Sequence, residues 1–195
     1  MDSTDGAARR GGATSPSAGT FTAAMRAAAT GVTIVSTDGR GGRVAQTVSA
    51  MCRVSASPPL VLACLRSRSL ASEAVGANGV FCVSVLGVQH DLVADVFAGR
   101  PSAGGRPWDF GCCGWEPAPS GSPRIADAVA AFDCAVQEVV VAGTHCIYIG
   151  QVRDVIAGTG IPLVYSAHGY ARPEPVGMTA APRCRRAVRP ERNSR

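Results

Sequence analysis

The sequence contains no lysine, no long apolar run and no glycine-rich nucleotide-binding motif. All 19 basic residues among its 195 are arginine, which we interpret as a compositional bias. Apolar segments such as Leu60–Leu65 and Val80–Leu86 are far shorter than the ~20 residues needed to cross a bilayer. Arg9 and Arg10 precede glycine and hydroxyl residues and not an apolar stretch, so no export signal is predicted. We expect a cytoplasmic protein without a membrane segment and without a Rossmann nucleotide site.

The cysteines also lack the spacing of a metal or redox motif. Two of the eight are adjacent, Cys112 and Cys113, and no pair is separated by two residues. Five others fall inside apolar runs and are predicted to be small buried hydrophobic residues: Cys52, Cys64, Cys82, Cys134 and Cys146. The sequence therefore predicts no metal site.

The formal net charge of +5 is confined to the end of the chain. From Phe21 to Tyr170 ten arginines balance ten acidic residues, whereas from Ala171 onward seven arginines accompany only Glu174 and Glu191. This tail is rich in proline and arginine and poor in aromatic and β-branched residues, which is typical of disorder. We therefore expect no nucleic-acid-binding surface.

The folded part is predicted to be one domain over residues 20–172, between disordered segments at 1–19 and 173–195. A first helix is predicted from Thr20, as N-cap, through Phe21 to Ala28, ending at Gly31. Further helices are predicted at Ser69–Val75 and Val88–Ala98, the latter with an apolar stripe and a stop at Gly99. The stripe comprises Leu92, Val93, Val96 and Phe97, and His90 is predicted to lie on the surface.

The remaining periodic segments are strand-like in length and in β-branched content. They are Val32–Thr37, Val44–Val48, Leu60–Leu65, Val80–Leu86, Ala128–Val141, Cys146–Ile156 and Pro162–Tyr165, with a Pro/Gly-rich stretch over Gly99–Pro123. Strands mostly follow strands, so the regular helical crossovers of a parallel sheet are lacking. The pattern predicts a mainly β protein, an antiparallel barrel with short peripheral helices.

Three segments carry a resemblance to a known family: Ala29–Thr37, Thr47–Leu65 and Ala142–Gly150. At these intervals the chain resembles the short-chain flavin reductases, the NAD(P)H-dependent reductase components of two-component flavin-dependent monooxygenases. The resemblance covers residues 21–172. It implies an FMN-binding split β-barrel of Greek-key topology, and a homodimer whose subunits pair to complete the flavin pocket.

By the same resemblance, the segment after the second strand lies along the isoalloxazine ring and ribityl chain of FMN or FAD. The flavin-binding residues implied there are Thr47, Val48, Ser49, Ala50, Met51, Cys52 and Arg53. The family's pattern has Asn where this chain has Ser49 and a serine where it has Arg53. A guanidinium supplies charge together with a fork of donors, so Arg53 can replace a hydroxyl as a phosphate partner.

Two further regions complete the implied site. Arg66-Ser67-Arg68-Ser69 precedes a helix start, an arrangement that attracts anions, and Arg68 and Ser69 are the phosphate candidates, with Arg100 a further cofactor contact. His145, in a segment similar to the family's Gly-Asp-His, is the catalytic candidate and faces the nicotinamide of NADH or NADPH. His168 and Tyr170, in the closing segment, are the other nicotinamide contacts.

Three functions remain open from the sequence. The first is an NAD(P)H:flavin oxidoreductase that supplies reduced flavin to a separate monooxygenase. The second is a split-barrel flavoprotein that keeps its flavin and acts on an organic substrate as an oxidase or oxygenase. The third is a non-catalytic flavin- or haem-binding module, favoured by Ser49 in place of Asn and Gly169 in place of a basic residue.

Overall fold

A computed structural model of the chain describes residues 15–176, so the segments predicted to be disordered lie mostly outside the described residues. These described residues form three α-helices and twelve strands. The helices are α1 Ala18–Met25, α2 Leu70–Asn78 and α3 Asp91–Phe97, with 3-10 turns at Val88–His90 and Phe110–Cys112. The strands are β1 Thr30–Gly31, β2 Thr33–Thr37, β3 Val44–Val48, β4 Met51–Ala56, β5 Pro59–Arg66, β6 Val80–Val85, β7 Trp115–Pro117, β8 Pro123–Ile125, β9 Ala130–Ala142, β10 His145–Ala157, β11 Val164–Ser166 and β12 Gly169–Ala171.

All strand pairs of the described chain are antiparallel. Seven strands form the main sheet in the order β3-β2-β6-β9-β10-β5-β4, β1 pairs with the β11–β12 hairpin, and β7 pairs with β8. The long strands β9 and β10 are each 13 residues and pair along their whole length, with two register shifts. The prediction of a mainly β, antiparallel fold with short helices is confirmed.

Strand β2 contributes side chains to both cores. All five of its residues are buried, and successive side chains of a strand point to opposite faces. Val35 therefore packs in one cluster with Leu65 and Phe81, whereas Ile34 packs in another with Phe97. One core lies between the sheet and α2, and the other lies between the sheet, α3 and the β11–β12 hairpin.

Helix α2 is fixed to the sheet by a buried pair of hydroxyls. Ser72 Oγ lies 2.9 Å from Tyr148 Oη, and the tyrosine donates a further 2.7 Å hydrogen bond to the Ser72 carbonyl. The helix ends at Gly79, whose φ of 71° is readily adopted only by glycine. This attachment positions the N-terminus of α2 at one end of β5.

Some sequence-based boundaries are wrong at the chain's first helix. Ser17, and not Thr20, is the N-cap, since its Oγ accepts from Thr20 N at 3.1 Å, and the helix ends at Met25. Every residue of α1 is exposed, including Phe21 and Met25. Gly31 does not terminate the helix but lies in β1.

Five strands were not predicted, namely β1, β4, β7, β8 and β12. Met51–Ala56 forms β4, an edge strand paired only with β5, and its middle residues are exposed, so their side chains lack the apolar pattern of a buried strand. The β7–β8 hairpin interrupts the Pro/Gly-rich stretch, and β12 follows β11 after a two-residue turn. The predicted helix at Val88–Ala98 is divided into a 3-10 turn and α3, and Leu92 of its predicted stripe is exposed.

The cysteines follow the prediction in part. Cys82, Cys134 and Cys146 are buried, and burial raises the pKa of the Cys82 thiol to about 12. Cys64 is half-buried, and Cys52 is exposed on the edge strand β4. Between residues 15 and 176, no helix has the length and apolar character needed to cross a membrane.

Candidate functional site

The loop after β5 forms a basic corner of the barrel. Arg66, Ser67, Arg68 and Ser69, here called the anion corner, lead from β5 into α2. Ser69 caps the helix: its Oγ accepts from Ser72 N at 3.2 Å and donates to the Arg66 carbonyl at 2.9 Å. No carboxylate of residues 15–176 lies within ion-pair distance of either arginine. Unpaired guanidiniums beside the positive end of a helix attract anions.

The turn between β9 and β10 contacts this corner. Gly143 begins the two-residue turn with φ 59°, the left-handed conformation that a type II′ hairpin requires at that position. The Thr144 carbonyl accepts from Ser67 N at 3.1 Å and from Ser67 Oγ at 3.2 Å. These bonds hold His145 beside the anion corner in a pocket of about 480 Å³, here called the hairpin pocket.

The structure therefore brings together two candidates that come from separate motifs, His145 and Arg68. Both line the hairpin pocket, with Arg66 directly opposite His145 in the β5–β10 register. His145 is exposed, and its Nδ1 lies 2.9 Å from Thr144 Oγ1. With Nδ1 engaged by its neighbour, Nε2 is the ring nitrogen that remains for a ligand.

A larger cavity of about 810 Å³ adjoins the hairpin pocket, and Arg66 lines both. This main cavity lies between β3, the start of α2 and the end of α3. Its walls contain two arginines and no carboxylate; they are formed by Arg43, Val44, Ala45, Gln46, Thr47, Arg66, Ser69, Leu70, Ala71, Phe97, Ala98, Trp108 and Phe110. A basic cavity with three aromatic rings suits a planar, negatively charged ligand.

Two smaller pockets continue from the main cavity. A tyrosine pocket of about 170 Å³ shares Thr47 and Ala98 with the main cavity. It shares Ser49 and Tyr165 with a helix pocket of about 260 Å³ beside α1. The four cavities therefore follow one another from the β9–β10 hairpin to the β11–β12 hairpin, each sharing lining residues with the next, and this row of cavities is here called the groove.

Two predicted contacts line the tyrosine pocket, Arg100 and Tyr170. Tyr170 Oη donates a 2.9 Å hydrogen bond to Asp95 Oδ1, and its ring packs edge-on against Tyr165 at 5.6 Å. Burial, followed by the hydrogen bond and the charge of Asp95, raises the pKa of Tyr170 well above its usual value. The phenol therefore stays protonated and keeps the β11–β12 hairpin attached to α3.

His168 lies at the other end of the groove. Ala167 and His168 form the β11–β12 turn with φ values of 48° and 67°, the pair of positive angles typical of a type I′ turn. His168 lines the helix pocket with Ser49 and Met25 of α1. It therefore lies in a different cavity from His145, and a joint role for the two histidines at the nicotinamide stays a prediction.

Of the predicted flavin segment, Thr47 and Ser49 face the groove. Thr47 Oγ1 donates a 2.7 Å hydrogen bond to the Ala94 carbonyl, so its hydroxyl holds β3 against α3. Ser49 lines both small pockets. Val48 is buried in the core at 5% exposure and presents no side chain to the groove.

The second half of that segment lies on the edge of the sheet. The Ala50 carbonyl accepts from Cys64 N at 3.0 Å, and Met51 packs against the core. Cys52 and Arg53 are exposed on β4 and line none of the four cavities. Their flavin-binding role stays a prediction.

The sequence interpretation missed the aromatic side of the main cavity. Phe97 contacts Phe110 edge-on at 5.3 Å, and the Arg43 guanidinium lies 4.5 Å from the centre of the Phe110 ring. Trp108 lines the same cavity and is 58% exposed. Trp108 and Phe110 are aromatic residues within a stretch that is otherwise rich in proline and glycine. Their presence there could have indicated a ligand contact from the sequence.

His90 is the clearest correction, since it is buried at 4% exposure and does not lie on the surface. Its Nδ1 accepts from Gly87 N at 3.1 Å, and its Nε2 lies 3.0 Å from Asp127 Oδ1. Partial burial disfavours the Asp127 charge, but the His90 hydrogen bond and charge outweigh it and hold the pKa of Asp127 below its usual value. The pair is structural and lies outside the groove.

The groove fits a phosphate-bearing cofactor with a planar ring. The anion corner supplies unpaired positive charge, and the main cavity supplies aromatic and backbone surface. Such a site, on an antiparallel barrel without a glycine-rich phosphate loop, defines a nucleotide-binding barrel outside the Rossmann class.

The comparisons with known proteins identify the family. The model of the flavin reductase like domain matches residues 25–174, and the chain belongs to this family. The FMN reductase (NADH) RutF of Ancylobacter novellus is 40% identical over 148 residues, which are 75% of this chain and 80% of the relative. The resemblance noted in the sequence is confirmed.

Solved structures of the same family share the fold. Nitrilotriacetate monooxygenase component B from Mycobacterium thermoresistibile is 31% identical with a TM-score of 0.73, over 84% of this chain and 90% of that one. The NADH:FAD oxidoreductase SgcE6 of Streptomyces globisporus, in complex with NAD and FAD fragments, is 28% identical with a TM-score of 0.72, over 80% and 93%. The predicted split β-barrel is confirmed by these neighbours.

Proposed function

We propose that this chain is an NADH-dependent flavin reductase that transfers a hydride from the nicotinamide to FMN or FAD and supplies reduced flavin to a partner monooxygenase. The observation that carries the proposal is the pair of basic cavities joined at Arg66, neither of which has a carboxylate in its wall. Hydride transfer requires the nicotinamide C4 atom and the flavin N5 atom in contact, and two adjacent basic cavities can hold the two phosphate-bearing nucleotides side by side.

The named relatives support the particular reaction and partner. The relative from Ancylobacter novellus is an NADH-dependent FMN reductase, and the Streptomyces globisporus protein is an NADH:FAD oxidoreductase. The Mycobacterium thermoresistibile neighbour is a component of a monooxygenase. We therefore favour NADH over NADPH, free exchange of the flavin, and a separate oxygenase as the recipient.

Different residues of the groove bind different parts of the two nucleotides. The anion corner holds the flavin phosphate through Arg66 and Arg68, by charge-assisted hydrogen bonds. Ser69 shapes this corner, because its hydroxyl already donates to the Arg66 carbonyl. Thr47 and Ser49 present the backbone of the β3–β4 segment to the flavin. His145, in the hairpin pocket, orients the nicotinamide through Nε2 and is not required to transfer a proton. The bound flavin supplies the hydride acceptor, its N5 atom, and needs no acid or base for that step.

Kinetics test the proposal directly. The purified chain is mixed with NADH under anaerobic conditions, and the loss of NADH is followed as free FMN is added. We expect the rate to rise with FMN and to saturate, with many equivalents of FMN reduced per protein. Flavin that stays bound to the protein and is reduced once, or not at all, would favour the flavin-retaining or non-catalytic alternative.

We also propose that the protein is a homodimer. The hairpin end of β9 exposes apolar side chains that a monomer leaves in water, namely Val139, Val140 and Val141. Residues 137–142 of β9 are exposed on both faces of the strand, so this end of the β9–β10 ribbon is uncovered. A two-fold interface between such surfaces removes them from water.

Sedimentation at micromolar concentration tests the dimer. We expect a dimer for the unmodified chain and a monomer for Val141→Asp, because Val141 is 73% exposed and its charge would be buried in the interface. Val88→Asp, at an exposed position in the 3-10 turn before α3, serves as the control and should remain dimeric. A monomeric unmodified chain would contradict the proposal.

The compartment and the extent of the domain are proposals as well. The seven cysteines between residues 15 and 176 are all free, which supports a reducing, cytoplasmic location. The folded domain is proposed to span residues 20–172, extended at its start by the first turn of α1 from Ala18.

A further inference from the structure

We propose that Trp108 is a stacking surface for the planar ring of the nucleotide whose phosphate occupies the anion corner. The inference rests on the proposed nucleotide binding and names a residue in a loop that the family motifs do not include. Trp108 lies in the wall of the main cavity together with Arg66 and Ser69, the two residues of the anion corner that reach this cavity. A ring and a phosphate of one nucleotide can therefore be held at the two places together.

The backbone of Trp108 is held in an unusual conformation. Its φ of 55° lies in the left-handed region, which a bulky residue rarely adopts. The Val96 carbonyl accepts from both Gly99 N and Trp108 N, each at 3.1 Å, and so closes the loop that joins them. Strain of this kind at a cavity wall is typical of a functional position, since the surrounding contacts must maintain it.

The indole lies against a residue that has no side chain. A Cβ atom placed on Gly99 would come within 2.9 Å of Trp108 Cζ2, and Gly99 itself has a φ of 74°. The edge of the ring therefore approaches the backbone closely. This contact limits the rotation of the indole and fixes its position at the cavity wall.

More than half of the Trp108 side chain remains exposed and can receive a ligand. Phe97, Phe110 and Trp115 pack against one another at 4.9–5.5 Å, and Arg43 covers the Phe110 ring. Among the residues that the structure describes, Trp108 forms no aromatic pair and remains 58% exposed. A large aromatic ring held rigidly and left in water is the usual arrangement of a stacking surface for bases and flavins.

The shared ligand chemistry is a planar heteroaromatic ring attached to a phosphate. The isoalloxazine of FMN or FAD and the adenine of FAD both have this chemistry. Stacking on an aromatic side chain depends little on the identity of the ring, because each ring has a π face. The experiment therefore compares ligands that carry one ring, the other, or neither.

Binding of FMN, FAD, AMP and inorganic phosphate is measured for the unmodified chain and for Trp108→Leu, Trp108→Phe and Leu92→Ala. We expect Trp108→Leu to raise the Kd of at least one ring-bearing ligand by about 5- to 50-fold. Trp108→Phe keeps an aromatic face and should restore the Kd to within about 3-fold. Leu92→Ala, on the exposed side of α3, is the matched control and should change no Kd.

The pattern across ligands identifies the ring. Weaker FMN and FAD binding with unchanged AMP binding assigns the isoalloxazine to Trp108, and weaker FAD and AMP binding with unchanged FMN binding assigns the adenine. Either result, with unchanged phosphate binding and melting temperature, supports the proposal. Unchanged Kd values for all three ring-bearing ligands would overturn it, as would a parallel loss of phosphate binding. NADH oxidation by the unmodified chain is scored separately, so a failure of the reductase proposal is distinguishable from a failure of this one.

Discussion

Replacing Arg66 by alanine tests the assignment of the anion corner most sharply, because Arg66 lines both basic cavities. Its guanidinium has no carboxylate partner among the described residues, so the change removes no ion pair of the fold. A charge-assisted hydrogen bond contributes about 1.5–3 kcal/mol. Arg66→Ala should therefore raise the Kd of FMN by about 10- to 150-fold.

The assay is a fluorescence titration with FMN and, in parallel, with riboflavin, which has the same ring and no phosphate. The Kd of riboflavin should change by less than about 2-fold, since the lost contact is to the phosphate. Arg153→Ala removes the same charge from an exposed position on β10 and is the matched control. Equal weakening of FMN and riboflavin, or no weakening of either, would refute the reasoning.

Three further predictions concern the nicotinamide, the core and the pH dependence. His145→Ala should lower turnover with NADH by about 10- to 100-fold and change FMN affinity by no more than a few-fold; a variant that only melts earlier would make His145 structural. Gly150→Ala should destabilise the fold by about 1–3 kcal/mol in chemical denaturation, because its Cβ would lie 2.8 Å from Cys134 Cβ and press on Phe81. Asp127→Asn should cost about 0.5–1 kcal/mol at neutral pH, since the carboxylate is largely exposed and screened. The pKa of Asp127 is lowered by folding, so this contribution is present above its unfolded pKa of about 4 and is lost as the pH falls through the folded value; a difference that persists at low pH would contradict the assignment.

The sequence was sufficient where one physical signal dominated. Val32–Thr37 is rich in β-branched residues and is buried on both faces, so its strand was predicted nearly to its observed bounds. Strand β4 was missed because it is an edge strand, and its exposed residues Cys52 to Val54 have no apolar alternation. His90 was misplaced because its burial depends on Asp127, 37 residues away, and no local pattern records that contact.

The site was predicted in part for a similar reason. The anion corner and His145 were found because they lie in short motifs, and the β5–β10 register then brings them together. The aromatic wall was missed because Phe97, Trp108 and Phe110 meet only after α3 and the following loop have folded against β3. Side chains contributed by separate elements have no common spacing along the chain.

The proposal that this chain reduces free flavin with NADH is tested most directly by anaerobic transfer of deuterium from NADH to FMN. NADH that is stereospecifically deuterated at C4 of the nicotinamide is mixed with the protein and free FMN. The reduction of FMN is followed by its absorbance. We expect catalytic reduction of FMN with a primary isotope effect for one of the two C4 positions only, because the bound nicotinamide presents one face to the flavin. Reduction of FMN no faster than in the absence of protein, or without any preference between the two C4 positions, would contradict the proposed flavin reductase activity.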